Sequence, residues 1–144
     1  MAKVISINIS EKRGTVKTPV ESAVFVEGKG IEGDAHFDLD DIKQISLLAE
    51  ESVDKMRKEG FDFLVPGIFA ENITTEGIIL KSLPIGTRLK IGETIQEVSK
   101  IGKECHTDCE IKQKAGKCIM PLEGIFTRVI KGGTVKKGDE IEII

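Results

Sequence analysis

The residues best suited by type and spacing to carry chemistry lie in one short stretch, Gly102-Lys103-Glu104-Cys105-His106-Thr107-Asp108-Cys109, with Cys118 nine residues further on. A thiol set beside lysines and an imidazole favours its thiolate form. The thiolate is the species that attacks electrophiles, carries a persulfide or ligates a soft metal. Lys103, His106 and Lys112 can each supply that positive charge if the fold brings them to Cys105. Cys105, His106, Cys109 and Cys118 together also make the donor set of a Cys₃His zinc site, although the paired C-x₂-C spacing of a strong zinc motif is missing. A third reading involves no chemistry, because reduced cysteines also behave as small buried hydrophobes. From these residues alone the reactive thiol, the metal site and the inert core all stand.

A second constellation is Gly28-Lys29-Gly30-Ile31-Glu32-Gly33-Asp34-Ala35-His36. Glycines allow close backbone approach to a ligand and can turn N–H groups toward an anion. Asp34 and His36 are then polar anchors or general acid/base groups. The stretch lacks the Gly-Lys-Ser/Thr ending of a P-loop, so nucleotide binding is not indicated. The plain alternative is a glycine-rich turn carrying a surface histidine. Asn72, in Glu71-Asn72-Ile73-Thr74-Thr75, either binds a ligand or satisfies backbone groups of its own turn, the commoner role. Arg128 lies between apolar residues; buried, it would need an acidic or anionic partner, and otherwise it points to solvent.

The elements that must position these groups are mostly short strands. Lys3–Ile9 alternates apolar and polar residues, as a half-buried strand does. Ala23–Val26 and Ile45–Leu48 are further apolar runs, and Ala49–Glu59 has helical spacing, with acidic residues ahead of basic ones and Gly60 to end it. Pro66-Gly67 and Leu83-Pro84-Ile85-Gly86 mark turns. Thr87–Ile91, Gly92-Glu93 and Thr94–Val98 spell a tight hairpin. The stretch from Pro121 to Ile130 is ambiguous between helix and strand, Gly132-Gly133 breaks it, and Asp139–Ile144 forms a closing strand. The pattern predicts a mainly β fold, a barrel or curled sheet with peripheral helices, in a single domain spanning residues 1–144.

Bulk composition narrows the function classes. A chain of 144 residues, 40% apolar and 31% charged, can bury a sizeable core. A net charge of −3 with both signs well mixed gives nucleic acid no basic stripe, and six Phe without Trp or Tyr give bases little to stack on. No apolar run reaches the roughly 18–20 residues that span a bilayer. The alternating N-terminus reads as a strand rather than a signal peptide. Three cysteines without an export signal suggest reduced thiols and a cytoplasmic location. No nucleic-acid or membrane partner is therefore expected.

Four segments, taken in order, resemble the MOSC domain family, the C-terminal module of molybdenum-cofactor sulfurases. They are Gly30–His36, Pro66–Thr74, Leu83–Gly92, and Gly124–Gly133 with Val135–Asp139. The likeness runs from about Val4 to Ile144; each motif is loose, and their order makes them specific. The resemblance implies a MOSC-type β-barrel and a role around the molybdenum cofactor (molybdopterin). In the family, a cysteine just after a strand carries sulfur or binds molybdenum as a thiolate, and Cys105 occupies that place. Gly33, Asp34, His36, Asn72 and Arg128 become candidate cofactor-binding residues, the glycine loop and Arg128 for the pterin phosphate. The expected partner is the pterin cofactor, or a molybdoenzyme or cofactor-synthesis protein. The expected chemistry is sulfur transfer or molybdenum-dependent reduction, for instance of N-hydroxylated compounds. The protein is expected to stand alone, without the pyridoxal-phosphate domain of full-length sulfurases or the N-terminal region that accompanies the domain in larger molybdenum-containing reductases. The extra ligands around Cys105 keep open the rival expectation of a non-catalytic binding module built on a structural Cys/His zinc site.

Overall fold

The computed structural model describes residues 2–12, 15–39, 41–61, 64–102 and 123–144. Strand β1 (Ala2–Ile9) organises the rest. Its pairing with β6 (Ile73–Glu76) slips between Val4 and Ser6. That bulge inserts an extra residue, so Val4 and Ile7 both face the apolar interior while Ser6 and Asn8 face the other way. On its opposite edge β1 pairs first with β11 (Glu140–Ile143) and then with the short β2 (Thr18–Val20).

From β11 the hydrogen-bonded order continues through β7 (Arg88–Ile91), β8 (Thr94–Ile101), β9 (Ile125–Lys131) and β5 (Ile45–Ala49) to β6 and back to β1. Seven strands thus close a barrel. Closure leaves no free edge around the ring. The pair β5–β6 is parallel, which demands a crossover, and α1 (Glu50–Lys58) provides part of it. A smaller sheet of β10 (Gly133–Lys136), β3 (Ser22–Val26) and β4 (Gly30–Ile31) adds Phe25, Ile31 and Val135 to the same core.

Inside the barrel sit Ile45, Leu47, Ile73, Leu89, Ile91, Val98, Ile125 and Val129, all buried. The outer face of β5 carries a second apolar cluster in which Leu48 meets Val53 and Met56 of α1, together with Leu64, Phe69 and Ala70. The helix has Glu50 and Glu51 in its first turn and Lys55, Arg57 and Lys58 in its last, the order its dipole favours. Arg57 bonds both Glu50 and Asp54.

The hairpin across Gly92-Glu93 forms as its sequence predicts, with Ile91 opposite Thr94. The ambiguous stretch resolves, from Ile125 onward, as strand. Ile125, Thr127 and Val129 alternate into the interior, where the Thr127 hydroxyl donates to Gln96 Oε1 at 2.6 Å. Arg128 therefore points outward. Strands β2, β4 and β10, each two to four residues long, have no clear signal in the sequence. No helix among the described residues is long and apolar enough to cross a membrane.

Candidate functional site

The glycine-rich segment begins as the turn between β3 and β4. Gly30 and Gly33 adopt positive φ, and the backbone then folds back so that the Asp34 carboxylate lies beneath the end of β1. There Asp34 meets Lys17, which approaches from the segment leading into β2. Lys17 Nζ donates to Asp34 Oδ1 at 2.7 Å, and both side chains are only 1% exposed. The same ammonium donates to Ser10 Oγ at 3.1 Å. The Ser10 amide donates to Asp34 Oδ1 at 3.1 Å, and the His36 amide to Asp34 Oδ2 at 3.2 Å. The His36 ring closes the group. Its Nδ1 lies 3.4 Å from Asp34 Oδ2 and 3.5 Å from Lys17 Nζ, with its side chain 26% exposed.

Burial alone would raise the Asp34 pKa, but the bonds from His36, Lys17 and the Ser10 amide outweigh it and hold the carboxyl well below the usual carboxylate range. Asp34 is therefore a fixed anion at neutral pH. A buried ion pair is costly unless hydrogen bonds complete it, and here they do. Such pairs also recur where a protein holds a functional group in place.

Two residues back along β1, a second buried network begins. Asn72 Nδ2 donates to the Asn8 carbonyl at 3.1 Å, and Asn72 Oδ1 accepts from the Ser46 amide at 3.0 Å and the Ser46 hydroxyl at 3.2 Å. Asn72 thus ties β1 to β5 just ahead of β6, and its side chain is committed to protein partners. Asn8 Nδ2 donates to the Glu71 carbonyl and to Thr74 Oγ1, while Ser6 Oγ donates to Asn8 Oδ1 at 2.7 Å. The Glu71 carboxyl is fully buried. It accepts from the Phe69 amide at 3.2 Å and the Thr74 hydroxyl at 3.0 Å. Burial pushes its pKa up to about 7, against the partial opposition of its hydrogen bonds.

Arg128 stands apart from both networks. It leaves the outer face of β9 opposite Glu97, which is itself paired with Arg88 at 3.2 Å. Arg128 Nε is buried and has no hydrogen-bond partner among the described residues. The guanidinium borders an open cleft of about 280 Å³ shared with Glu27, Gly28, Asp41 and Gln44. Gln44 spans the cleft floor, its Oε1 accepting from the Val129 amide at 2.9 Å. A donor buried without a partner among the described residues invites a further acceptor.

The structure therefore brings Gly33, Asp34 and His36 together, places Asn72 nearby through β1, and sets Arg128 beside Gly28 of the same glycine-rich loop. Cys105, His106, Cys109 and Cys118 lie outside the described residues. The connection that carries them leaves β8 at Gly102 and rejoins at Gly124, where the Gly102 amide donates to the Gly124 carbonyl at 2.8 Å. Glu123, just before it, is bonded by Lys81 at 2.8 Å, Ser52 at 2.8 Å and Lys55 at 3.1 Å. Among the described residues no cluster of three or more His, Cys, Asp or Glu side chains is arranged to hold a metal ion.

Sequence reasoning missed Lys17. It sits in a polar stretch before Thr18-Pro19 with no apolar periodicity around it. Its partner is 17 residues away, so no local pattern marks it as buried. Asn8 was hidden for a different reason: alternation with Ile7 and Ile9 puts it on the polar face of β1, and that face is buried by Glu71, Asn72 and Thr74 from more than 60 residues away.

Residues 33–142 match the MOSC domain family. No curated protein sequence matches the chain. Among solved structures, the YiiM protein from Geobacillus stearothermophilus superposes with a TM-score of 0.78 at 20% identity, covering 100% of this chain and 75% of that one. The YuaD protein from Bacillus subtilis gives a TM-score of 0.73 at 20% identity, covering 99% and 94%. YiiM from Escherichia coli gives 0.69 at 21% identity, covering 100% and 70%. At these identities the likeness establishes the barrel architecture.

Proposed function

Because this chain belongs to the MOSC domain family, we propose that it binds the molybdenum cofactor, or carries sulfur for it, with Cys105 as the thiolate ligand or sulfur carrier. The structural observation that supports this most directly is Arg128. Its buried Nε has no partner among the described residues, and the side chain lines an open cleft. An anionic group such as the pterin phosphate would complete that donor, and a guanidinium suits a phosphate's geometry. Glu27 and Asp41 also line the cleft, but both are exposed to water, whereas the Arg128 donor is not. Gly28 adds a stretch of backbone without a side chain at the same edge. The residues present thus fit the anionic end of such a group.

When bound, the cofactor would supply a molybdenum centre able to change oxidation state and to hold terminal sulfur. The chain's own part is to bind and orient it. Arg128 would hold the anionic end. Gly33, Asp34 and His36 would form one wall, kept rigid by Lys17 and by the Asn72 ties between β1 and β5. Cys105, in the connection between β8 and β9, would supply a soft thiolate donor, the type that suits both sulfur transfer and molybdenum ligation. A molybdoenzyme or a cofactor-synthesis protein would be the partner.

Titration of the purified protein with molybdenum cofactor under anaerobic conditions tests this. Cys105→Ser is expected to weaken binding by about tenfold or more, equivalent to about 1.4 kcal/mol or more. Identical affinity in the variant would remove Cys105 from the site.

A further inference from the structure

We propose that His36 is a proton-accepting group, with Nε2 as the accepting atom, Asp34 fixing its tautomer and Lys17 holding Asp34 in place. The inference comes from counting donors and acceptors in the buried cluster. Asp34 Oδ1 already accepts from Lys17 Nζ at 2.7 Å and from the Ser10 amide at 3.1 Å. Oδ2 accepts from the His36 amide at 3.2 Å and keeps one acceptor direction, with His36 Nδ1 only 3.4 Å away. Lys17 Nζ, with two protons on Asp34 and Ser10 and a third to offer, also lies 3.5 Å from that nitrogen. Nδ1 thus faces an ammonium at 3.5 Å and the Oδ2 anion at 3.4 Å, and the nearer, charged acceptor favours the proton on Nδ1. The bond that completes the carboxylate is therefore Nδ1–H donating to Oδ2. A neutral imidazole with its proton on Nδ1 carries its lone pair on Nε2.

His36 is the one partly exposed member of the trio, at 26% against 1% for each partner. Asp34 and Lys17 are buried beneath it and hold the ring by one edge. A buried carboxylate that orients an imidazole, stabilises the imidazolium and remains ionised itself is the arrangement general-base histidines use. Lys17 supplies the remaining requirement: with an ammonium at 2.7 Å, Asp34 stays an anion when His36 gains its proton. The ligand class is one with an acidic O–H, N–H or S–H proton. In the step, that proton and no electrons pass to Nε2, the ligand keeps the bonding pair, and the imidazolium keeps its Nδ1–H bond to Asp34. Asp34 and Lys17 are positioning residues for His36. The inference deepens the proposed site, but its first test requires no cofactor, so it can fail while cofactor binding stands, and the reverse.

The test is nitrogen NMR on protein labelled with ¹⁵N-histidine, which contains only His36 and His106. The His36 signals are assigned by their loss in His36→Asn. Above the pH at which His36 deprotonates, the proton is expected on Nδ1, with Nε2 showing the shift of an unprotonated nitrogen. In Asp34→Asn, whose amide group can donate to Nδ1, the tautomer is expected to invert. Cys105→Ser should leave the His36 tautomer unchanged. A wild-type His36 protonated on Nε2, or one still imidazolium at pH 9, would overturn the assignment whether or not the Asp34 variant folds. Reaction with diethyl pyrocarbonate gives a second readout, since that reagent needs an accessible unprotonated ring nitrogen. His36 should react, and complete protection in the folded wild type would also overturn the proposal.

Discussion

Lys17 and Asp34 form an ion pair of 2.7 Å between side chains that are each only 1% exposed, joining the approach to β2 to the loop after β4 beneath the end of β1. Neither segment belongs to the closed ring of strands. The pair and its bonds to Ser10 and His36, with the Ala35 amide donating to the Ser10 carbonyl at 2.7 Å, hold this loop against the barrel.

Removing one partner should therefore cost far more than removing a surface ion pair. Asp34→Ala leaves an ammonium buried without its counter-charge, and Lys17→Met leaves the carboxylate so. Each is expected to lower stability by about 3–5 kcal/mol. The double variant, which leaves no uncompensated charge, should lose less than the sum of the two. Urea unfolding of the three variants checks this, and additive losses would show that the charges do not depend on each other.

Glu71 predicts a pH dependence of the opposite sign to that of an ordinary surface carboxylate. Its folded pKa, about 7, lies above the ordinary value of 4.5, so folding takes up a proton between these values. Glu71 imposes no penalty below pH 4.5. The penalty grows as pH rises toward 7 and is complete above it, with an upper size of about 3 kcal/mol from 1.36 kcal/mol per pKa unit. Asp34 acts elsewhere: its depressed pKa contributes stability above about pH 4 that is lost on further acidification. Glu71→Gln mimics the protonated acid and should be more stable than wild type at pH 8 but similar at pH 4.5. Thermal unfolding across that range would show it, and an unchanged slope in the variant would refute it.

Gly67 is a structural requirement at the same place. It has φ +91, and a Cβ there would lie 2.2 Å from the Lys17 carbonyl oxygen, a backbone atom. The Lys17 amide in turn donates to the Gly67 carbonyl at 2.8 Å. Gly67→Ala is expected to cost about 3 kcal/mol or more, whereas Gly60→Ala, with φ +110 and open space around it, should cost only about 1 kcal/mol. Equal midpoints in chemical denaturation would contradict the close packing.

Much of this fold is legible from local pattern. The β7–β8 hairpin is written in Gly92-Glu93 between two alternating runs, and α1 in the spacing of Val53 and Met56 with its charge order. What local pattern misses is set by contacts distant in sequence. β9 takes strand form through its backbone pairing with β8 and β5, where Thr127 also reaches Gln96, 31 residues away, in the interior. Lys17 is buried only because Asp34 reaches it from another loop. In the site itself, Asp34 and His36 stood out by residue type beside three glycines. Asn72 drew two readings, and its three bonds to Asn8 and Ser46 give it a structural task in this structure. The cysteines were the clearest chemical signal in the sequence, and they fall outside the described residues.

If the Arg128 cleft receives an anionic group, Arg128→Met should separate binding from stability. Its Nε makes no internal bond among the described residues, so unfolding free energy should change by less than about 1 kcal/mol. Affinity for the molybdenum cofactor should fall by about tenfold, or about 1.4 kcal/mol. Parallel denaturation and cofactor titration decide this. Full affinity in the variant would place the anion elsewhere.

The most direct test of cofactor binding through Cys105 is elemental analysis by mass spectrometry of protein purified without oxygen after expression in a molybdate-supplied, cofactor-producing host, alongside Cys105→Ser. Molybdenum and pterin are predicted to copurify with the wild type and to be lost from the variant. One zinc per chain with no molybdenum, or equal molybdenum in both proteins, would contradict it.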